Sequence, residues 1–305
     1  MAGRDPSEEA DVLPVVPRQF TPPQPSEAVV TEGRSYWLGR FIGQGYFGAV
    51  YECTDEWSNP LVAKVLLPQN RGYEQVRAEW LRELQNLVVL RHPNITFVHD
   101  AFEYRDTFYL VLERCDQTLD DLIKWPELDP NVWVYPIAQC ILQAVLYIHR
   151  ANYVHKDIHP GNIHISRSHG FMASPSAATV FKLGDLGITR LETEINVFNT
   201  MLAKWMLPPE AIAPVDFGVI DKRVDIYHVG LSLLSLLLKT VPFFSEEEIV
   251  AGRPRELAEA LSHPLAGPLG RALRRHVASR PSSALDFWRE IQAVQTAGRV
   301  APAGL

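Results

Sequence analysis

The sequence has few of the features that mark secreted or metal-stabilised proteins. It contains three cysteines in 305 residues, Cys53, Cys115 and Cys140, and no CxxC pair. A small, odd and scattered set of cysteines is evidence against a disulfide framework or a zinc site, and it favours a reducing compartment. We therefore expect a cytoplasmic protein.

Long hydrophobic runs and an excess of basic charge are also missing. The most apolar stretch, residues 229–238, is shorter than the roughly 20 residues that a membrane-spanning helix needs. The N-terminus has neither the basic region nor the apolar region of a signal peptide. The formal net charge is −7, whereas binding along a nucleic-acid backbone needs clustered Lys and Arg. We expect neither a membrane nor a nucleic-acid partner.

Proline is concentrated at the N-terminus, where residues 1–35 contain six prolines and few periodic apolar positions. A segment of this composition buries too little apolar surface to offset its ordering entropy. The composition predicts a disordered tail over residues 1–35. The alternative is a docking peptide for a proline-binding domain, because extended proline-rich segments are recognised in that way.

Two regions of different periodicity follow the tail. Up to about residue 112 the pattern is mostly strands around one helix at residues 73–90, whose apolar positions recur at helical spacing. From residue 119 the pattern is mainly helical. Helices are predicted at residues 131–150, 221–239, 256–261 and 268–277, with a last helix ending near residue 293. The layout predicts an α+β protein with a strand-rich first part and a helical second part.

Gly43, Gly45 and Gly48 form, together with Val50, the pattern GxGxxGxV. Glycines let backbone N–H groups come close to a phosphate, although a glycine turn in an ordinary hairpin also explains them. A dinucleotide-binding fingerprint needs a helix after the glycines. Here residues 49–53 continue as a strand, so the pattern indicates a phosphate loop between two strands.

Lys64 lies inside an apolar strand, 21 residues after Gly43. A buried lysine needs a partner, although a lysine on an edge strand can keep its ammonium group in water. If Lys64 holds the phosphates of a nucleotide, its carboxylate partner is expected on the following helix. Glu83 and Glu79 are the two candidates there.

The strongest cluster of polar residues is VHKDIHPGN at residues 154–162. Asp157 could orient and deprotonate an acceptor hydroxyl, and Asn162 could hold a metal ion. A short strand later ends at Asp185, which is followed by Leu186 and Gly187. A carboxylate in this position suits Mg²⁺, although an isolated Asp-Leu-Gly is also an ordinary turn.

Taken in order, these motifs resemble those of the eukaryotic-type protein kinases, and the resemblance covers residues 36–293. Pro-Pro-Glu at residues 208–210 resembles the end of the kinase activation segment, and Arg280 resembles the arginine that pairs with its glutamate. The resemblance implies a bilobal protein-kinase fold, with an N-lobe at 36–114, a C-lobe at 115–293 and a short C-terminal tail at 294–305. It also implies transfer of the γ-phosphoryl group of MgATP to a protein hydroxyl, with Ser or Thr as the expected acceptor.

The resemblance assigns roles to individual residues. It makes Asp157 the catalytic base and selects Glu83 as the partner of Lys64, and it gives Mg²⁺ to Asn162 and Asp185. ATP is expected to contact Gly43, Gly45, Gly48, Val50, Ala63, Lys64, Glu113, Cys115 and His164, with backbone groups near Glu113 and Cys115 binding adenine. Asp225 resembles the aspartate that braces the catalytic loop. The positions of a regulatory spine fall on Leu87, Val98, His155 and Leu186.

The departures from the family pattern include three in the catalytic loop and just after it. Lys156 replaces an arginine that often reads a phosphorylated activation loop, and a lysine lacks the bidentate fork. His159 replaces the catalytic-loop lysine, so it would contact the γ-phosphate only when protonated or through one N–H. His164 stands where an apolar residue normally packs beneath adenine. Two alternatives stay open: a pseudokinase that works as a binding module, and a small-molecule kinase, whose catalytic loop the string DIHPGN also resembles.

Overall fold

The structure is a computed structural model. It describes residue 18 and residues 20–300, with the exception of residues 22, 25, 32, 46–47, 69, 168–178 and 195–205, and it describes the backbone alone for residues 298–300. The described chain forms two lobes, and the division between them follows the strand that ends at Glu113.

The N-lobe is an antiparallel sheet of six strands with one helix packed on one face. The strand order is β1-β2-β3-β4-β6-β5. The strands are β1 (Ala28–Thr31), β2 (Arg34–Gln44), β3 (Gly48–Thr54), β4 (Pro60–Leu66), β5 (Val98–Tyr104) and β6 (Thr107–Glu113), and helix α1 is Tyr73–Val89. Because side chains alternate along a strand, Phe108 and Leu110 pack towards α1 in the main core, whereas Tyr109 and Val111 pack on the outer face of the sheet.

Strand β1 lies within the region that was predicted to be a disordered tail. Ala28 pairs with Trp37 of β2, and Val29 is fully buried against Tyr36 and Leu38 on the outer face. The prediction is therefore wrong for this strand, because a composition averaged over the proline-rich stretch hides one short alternating segment. Residues 1–17 of the predicted tail lie outside the described residues.

The C-lobe is built around two buried helices, α3 (Pro130–Arg150) and α6 (Arg223–Leu238), which pack against each other. The other helices are α2 (Leu119–Ile123), α4 (Pro209–Ile212), α5 (Pro214–Phe217), α7 (Glu246–Ala251), α8 (Arg253–Glu259), α9 (Ala266–Ala272) and α10 (Ala284–Val300). Strands β7 (Gln117–Thr118), β9 (Ile163–Arg167) and β10 (Thr179–Leu183) form one small sheet, and β8 (Tyr153–Val154) pairs with β11 (Arg190–Leu191).

The last helix is longer than predicted. It continues to Val300 instead of ending near residue 293, and Val294 still packs against the main core. The predicted end of the domain at residue 293 is therefore too early. The sequence has no proline between residue 293 and Pro302, so no proline ends the helix at residue 293.

Helix α3 is the one described helix that is long and apolar enough to span a membrane by length and composition, with a mean hydropathy of 1.4. In this fold it is a core helix. Ile137, Ile141, Val145 and Ile148 are buried in the C-lobe core, as their helical spacing predicts. Packing within the lobe therefore accounts for the apolar face of this helix.

A fully buried ion pair joins distant parts of the C-lobe. Arg280, which precedes α10, donates from Nη1 to Glu210 Oε1 at 2.7 Å and from Nη2 to Glu210 Oε2 at 2.5 Å. Both side chains are 0% exposed. Arg280 also donates from Nε to the carbonyl oxygen of Arg274 at 2.8 Å. The pairing of Arg280 with Glu210, predicted from the sequence, is confirmed.

The substitution Arg280→Ala is expected to lower the free energy of unfolding by about 3–5 kcal/mol, because it leaves the Glu210 carboxylate buried and unpaired. Denaturant-induced unfolding measures this loss. The control is Arg289→Ala, which removes an exposed pair with Asp286 and is expected to unfold close to wild type. Equal losses in the two variants would contradict the assigned role of the buried pair.

Candidate active site

A cleft lies between the two lobes and takes its walls from both. Its inner part encloses about 250 Å³ and its outer part about 280 Å³. The two parts share the lining residues Val50, Val62, Leu112, His164 and Asp185. Apolar side chains thus line most of the shared surface, with polar groups at one side, which is the usual make-up of a small-molecule site.

The glycine loop forms the turn between β2 and β3. Gly43 pairs with Val50 across the two strands, and the Gly45 N–H donates to the carbonyl oxygen of Gly48 at 2.9 Å. A Cβ at position 48 would lie 2.2 Å from the carbonyl oxygen of Val65 on β4, so only glycine fits there. Gly45, Gly48 and Val50 line the cleft. Residues 46–47 of this segment lie outside the described residues.

Strand β4 directs Lys64 into the cleft and Ala63 away from it. Ala63 is fully buried on the outer face of the sheet, with Leu38 and Tyr109. Val62, two residues before Lys64, shares the face of Lys64 and lines the cleft. The assignment of Ala63 to ATP binding is therefore wrong, and Val62 has that position in the structure.

Lys64 lies between two carboxylates from different elements. Its Nζ is 2.7 Å from Oε1 of Glu83 on α1 and 3.0 Å from Oδ1 of Asp185. Glu79 instead contacts Arg71. The choice of Glu83 over Glu79 as the partner of Lys64 is confirmed.

Burial and charge act together on the pKa values of this group. Burial opposes the charge on Lys64, but the carboxylates of Asp185 and Glu83 outweigh it and hold the pKa of Lys64 above its ordinary value. Burial raises the pKa of Glu83, against the opposing effect of Lys64. Burial also opposes ionisation of Asp185, but Lys64 outweighs it, and the pKa of Asp185 is lowered. The ammonium group therefore stays charged and available to a phosphate.

Asp225 of α6 holds the backbone of the catalytic loop. Its Oδ2 accepts the N–H of His155 at 2.9 Å, and its Oδ1 accepts the N–H of Lys156 at 2.8 Å. His149 of α3 contacts Oδ2 at 2.8 Å. The bracing role predicted for Asp225 is confirmed, and this fully buried carboxylate joins α3, α6 and the loop.

His155 links the catalytic loop to the residue before Asp185. Its Nδ1 accepts the N–H of Asp157 at 3.2 Å, so its Nε2 carries the proton and donates to the carbonyl oxygen of Gly184 at 3.1 Å. Lys156 and Asp185 both have positive φ angles, 71° and 54°. Such backbone is uncommon for residues other than glycine and persists where surrounding contacts hold it. The hydrogen bonds of the loop supply such contacts.

Asp157 and His159 lie next to Asn162 and Gly161, which line the inner part of the cleft. Asn162 donates from Nδ2 to the carbonyl oxygen of Asp157 at 2.9 Å and to its Oδ2 at 3.2 Å. Burial, together with the charge of Asp185, raises the pKa of Asp157 to about 6. His159 Nδ1 accepts the N–H of Gly161 at 3.1 Å, so Nε2 carries the proton, and it lies 3.8 Å from Asp157 Oδ1. Burial lowers the pKa of His159 to about 4, so the imidazole is neutral near pH 7.

Asn162 and Asp185 have a donor set that fits Mg²⁺. The amide nitrogen of Asn162 is used by Asp157, so its Oδ1 is the atom free to face a cation. Among the described residues, Lys64 and the N–H of Gly187 both contact Asp185 at Oδ1, which leaves Oδ2. Mg²⁺ is typically held by one or two carboxylates plus phosphates and water. These two residues would hold the ion beside the phosphates.

The outer part of the cleft is lined by Glu113 and Cys115, as the resemblance predicts. The Glu113 carboxylate accepts two hydrogen bonds from Lys182 Nζ, at 2.8 and 2.7 Å, and one from the N–H of Phe97 at 2.9 Å. Burial raises the pKa of the Cys115 thiol to about 12, so this thiol is neutral. The contacts of Glu113 fix the backbone segment to which adenine is assigned, and sequence reasoning did not find Lys182.

His164 lies on β9 and lines both parts of the cleft. A Cβ at position 184 would lie 2.4 Å from His164 Nε2, so the ring rests against the backbone of Gly184. Burial lowers the pKa of His164, which keeps the ring neutral near pH 7. An uncharged ring in this place can pack beneath a base, so the predicted role stays compatible with the geometry.

Sequence reasoning missed Asn86, which lies three residues after Glu83 on the same face of α1. Its side chain is buried, and Nδ2 donates to the carbonyl oxygens of Leu186 at 2.9 Å and Thr189 at 3.1 Å. Helix α1 therefore contacts the segment after Asp185 directly through Asn86, and indirectly through Glu83, which shares Lys64 with Asp185. The available signal was a polar residue at helical spacing from Glu83 on a face that is otherwise apolar.

Comparison with known sequences identifies the family. A sequence model of the protein kinase domain matches residues 36–302. Because this match covers most of the chain, the chain belongs to the protein kinase domain family.

Individual relatives are distant. Serine/threonine-protein kinase TAO2 of Xenopus laevis is 29% identical over 210 residues, which are 68% of this chain and 19% of that protein. Cyclin-dependent kinase-like 5 of Mus musculus is 29% identical over 212 residues, which are 68% of this chain and 21% of that protein. The chain thus spans about a fifth of the length of these curated relatives.

The solved structure of the Mycobacterium tuberculosis PknI kinase domain, in a doubly substituted form, has the same fold. The TM-score is 0.62 at 22% sequence identity, and the match covers 90% of this chain and 99% of that chain. The bilobal kinase fold inferred from the motifs is confirmed.

The substitution Asn86→Ala is expected to lower the free energy of unfolding by about 1–3 kcal/mol, because two buried carbonyl groups lose their donor. It is also expected to lower kcat, because the segment that follows Asp185 loses its side-chain hydrogen bonds to α1. Denaturant unfolding and steady-state kinetics measure the two effects. The control is Gln85→Ala, an exposed amide on the same helix. Identical behaviour of the two variants would refute the role of Asn86.

Proposed function

We propose that this chain is an ATP-dependent protein kinase that transfers the γ-phosphoryl group of MgATP to Ser or Thr hydroxyls of a protein substrate. The observation that carries the proposal is that Lys64, Glu83, Asn162 and Asp185 line one cleft, with Asp157 held against Asn162 by two hydrogen bonds. The relatives named serine/threonine-protein kinases support Ser or Thr as the acceptor.

The chemistry asked of these residues is mostly positioning and charge neutralisation. Lys64, kept charged by its two carboxylates, orients the α- and β-phosphates of ATP. Asp157 accepts a hydrogen bond from the acceptor hydroxyl and then its proton. The acceptor oxygen forms a bond to the γ-phosphorus while the bond to the β-phosphate oxygen breaks, and ADP leaves. Asn162 and Asp185 would hold Mg²⁺, which would supply positive charge to the phosphate oxygens.

His159 is proposed to contact the transferring phosphoryl group as a neutral donor. Its Nδ1 accepts the Gly161 N–H, so the Nε2–H is the donor, and it lies 3.8 Å from Asp157 Oδ1. A neutral N–H gives directional hydrogen bonding without the full charge that the family's lysine supplies. His159 is therefore expected to stabilise the transition state less than a lysine would, but still to stabilise it.

A cytoplasmic location is part of the same proposal, and the free thiols of all three cysteines support it. A proline-binding partner for the N-terminal segment stays a prediction. The two alternatives, a pseudokinase and a small-molecule kinase, have no support among the relatives.

The first test is a transfer assay with γ-labelled ATP and Mg²⁺ on a generic basic protein, followed by phosphoamino-acid analysis. Wild type is expected to label Ser or Thr. Asp157→Asn is expected to lower the rate by about 10²–10⁴-fold, because the proton of the hydroxyl loses its acceptor. Asp120→Asn, an exchange on the nearby surface of α2, is expected to keep the wild-type rate. Full activity in a folded Asp157→Asn protein would sink the assigned role, and turnover only with small alcohols would point to the small-molecule alternative.

The substitution His159→Ala is expected to lower kcat roughly 10- to 100-fold, the range expected for one hydrogen bond to a charged group. The pKa of His159 is lowered to about 4, so the imidazole is neutral both at pH 6 and at pH 8. The ratio of wild-type to variant kcat should therefore be the same at these two pH values. A ratio that grows steadily towards pH 6 would show that the protonated form acts instead.

A further inference from the structure

Part of the chain that precedes the matched kinase domain packs onto the N-lobe. The family match begins at residue 36, whereas the described residues between 18 and 31 contact β2, β5, β6 and α1. We call these residues (18, 20–21, 23–24 and 26–31) the N-terminal strap. The strap therefore lies outside the residues that the family model matches.

One end of the strap is attached to the sheet. Beside the β1–β2 pairing, the Ser26 N–H donates to the carbonyl oxygen of Leu38 at 3.0 Å. Glu27 Oε1 forms an ion pair with Arg105 Nη1 at 2.6 Å, at the turn between β5 and β6. Pro23 is buried. The strap therefore crosses the end of the sheet and runs towards α1.

The other end of the strap contacts the first residue of α1. The ring of Phe20 lies 6.2 Å from the ring of Tyr73, and the guanidinium of Arg18 lies 4.1 Å from the centre of the same ring. Arg18 Nη1 is also 3.4 Å from Glu103 Oε1, which accepts the hydroxyl of Tyr73 at 2.7 Å. Phe20 packs against the main core. Tyr73 is thus held by an apolar, a cationic and an anionic neighbour.

A row of aromatic rings continues from Tyr73 to the middle of the helix. The ring of Phe108 on β6 lies 5.1 Å from Tyr73 and 5.2 Å from Trp80. Trp80 also donates from Nε1 to the carbonyl oxygen of Tyr109 at 3.0 Å. Glu83 follows Trp80 by three residues, on the neighbouring turn of the helix. The strap is therefore connected by direct packing to the turn that carries Glu83.

The first half of helix α1 is held by core packing and by an ion pair, because Val76 is fully buried in the main core and Glu79 contacts Arg71. Its N-cap, Gly72, makes no side-chain cap hydrogen bond, although helix starts are usually satisfied in that way. Contacts of Tyr73 with the strap, and of Tyr73 and Trp80 with Phe108 on β6, add to this attachment.

We propose that Phe20 and Arg18 are positioning residues that hold α1 against β6 and so keep Glu83 within reach of Lys64. The proposal rests on the proposed role of the Lys64–Glu83 pair in transfer. It assigns to the segment before the family domain a part in forming the active site. Loss of the strap lets the first half of α1 move away from β6, and the 2.7 Å contact between Lys64 and Glu83 is then formed for a smaller fraction of the time.

The test uses the full chain with Phe20→Ala, and Val30→Ala as the matched control, because Val30 is an apolar residue of the same strap that is 58% exposed. Phe20→Ala is expected to lower kcat on the order of tenfold, a usual size for coupling between separated sites, with a smaller change in KM for ATP. Hydrogen exchange should be faster at the α1 amides and unchanged in α3. Phe20→Leu, which keeps an apolar side chain, should restore most of the rate.

The outcomes are separable. Wild-type kinetics and wild-type exchange of α1 in Phe20→Ala would overturn the proposal, as would an equal loss in Val30→Ala. Arg18→Ala, which removes a half-exposed side chain (52%) and no core packing, should give a smaller loss in the same direction if Phe20→Ala fails to fold; no loss would count against the proposal. If wild type transfers no phosphate, the proposed function fails, and the exchange of α1 still decides whether the strap holds the helix.

Discussion

A buried ammonium group is the constraint on which the active site depends. Lys64 lies on the inner strand of the sheet, where water cannot solvate its charge, so carboxylates must reach it from elsewhere. One comes from α1 and the other from the segment after β10. The ammonium group of Lys64 therefore depends on the position of the helix relative to the sheet and on the position of the N-lobe relative to the C-lobe. An error in either position leaves a buried charge without its partner, which is costly in a medium of low polarity.

The C-lobe supplies the rigid side of this arrangement. Two fully buried carboxylates, Asp225 and Glu210, each accept several hydrogen bonds and join segments that are far apart in sequence. The positive φ angle of Lys156 occurs where its N–H is held by Asp225, and that of Asp185 where its carboxylate is held by Lys64. The N-lobe side is different, because α1 has exposed apolar residues and no side-chain N-cap. The helix that carries Glu83 is held in part by aromatic packing of Tyr73 and Trp80 against Phe108 on β6.

The sequence predicted the elements with strong periodicity and the residues carried by motifs. The five N-lobe strands other than β1 include those that carry the glycine loop and Lys64, as expected. Helices α3 and α6 occur close to the predicted bounds. Some short elements were not predicted. Helix α7 begins with Ser245 and Glu248 in a capping box, a signal that was present and not used. Ala63 was misassigned because the motif was matched by residue type alone. The alternation of side chains along β4 places Val62, and not Ala63, on the same face as Lys64.

What the sequence determined by itself was the chemistry available: which residues are acidic, basic or glycine, and in which order along the chain they come. That order sufficed for the family, because a glycine loop, a lysine, a helix glutamate and two acidic loop positions rarely occur together by chance. Only the tertiary structure decided which groups meet. Asn86 finds the carbonyl oxygens of Leu186 and Thr189, Lys182 finds Glu113, and Phe20 finds Tyr73. These partners are separated by between about 50 and 100 residues, and local propensity carries no information about such contacts, because they arise when whole elements pack.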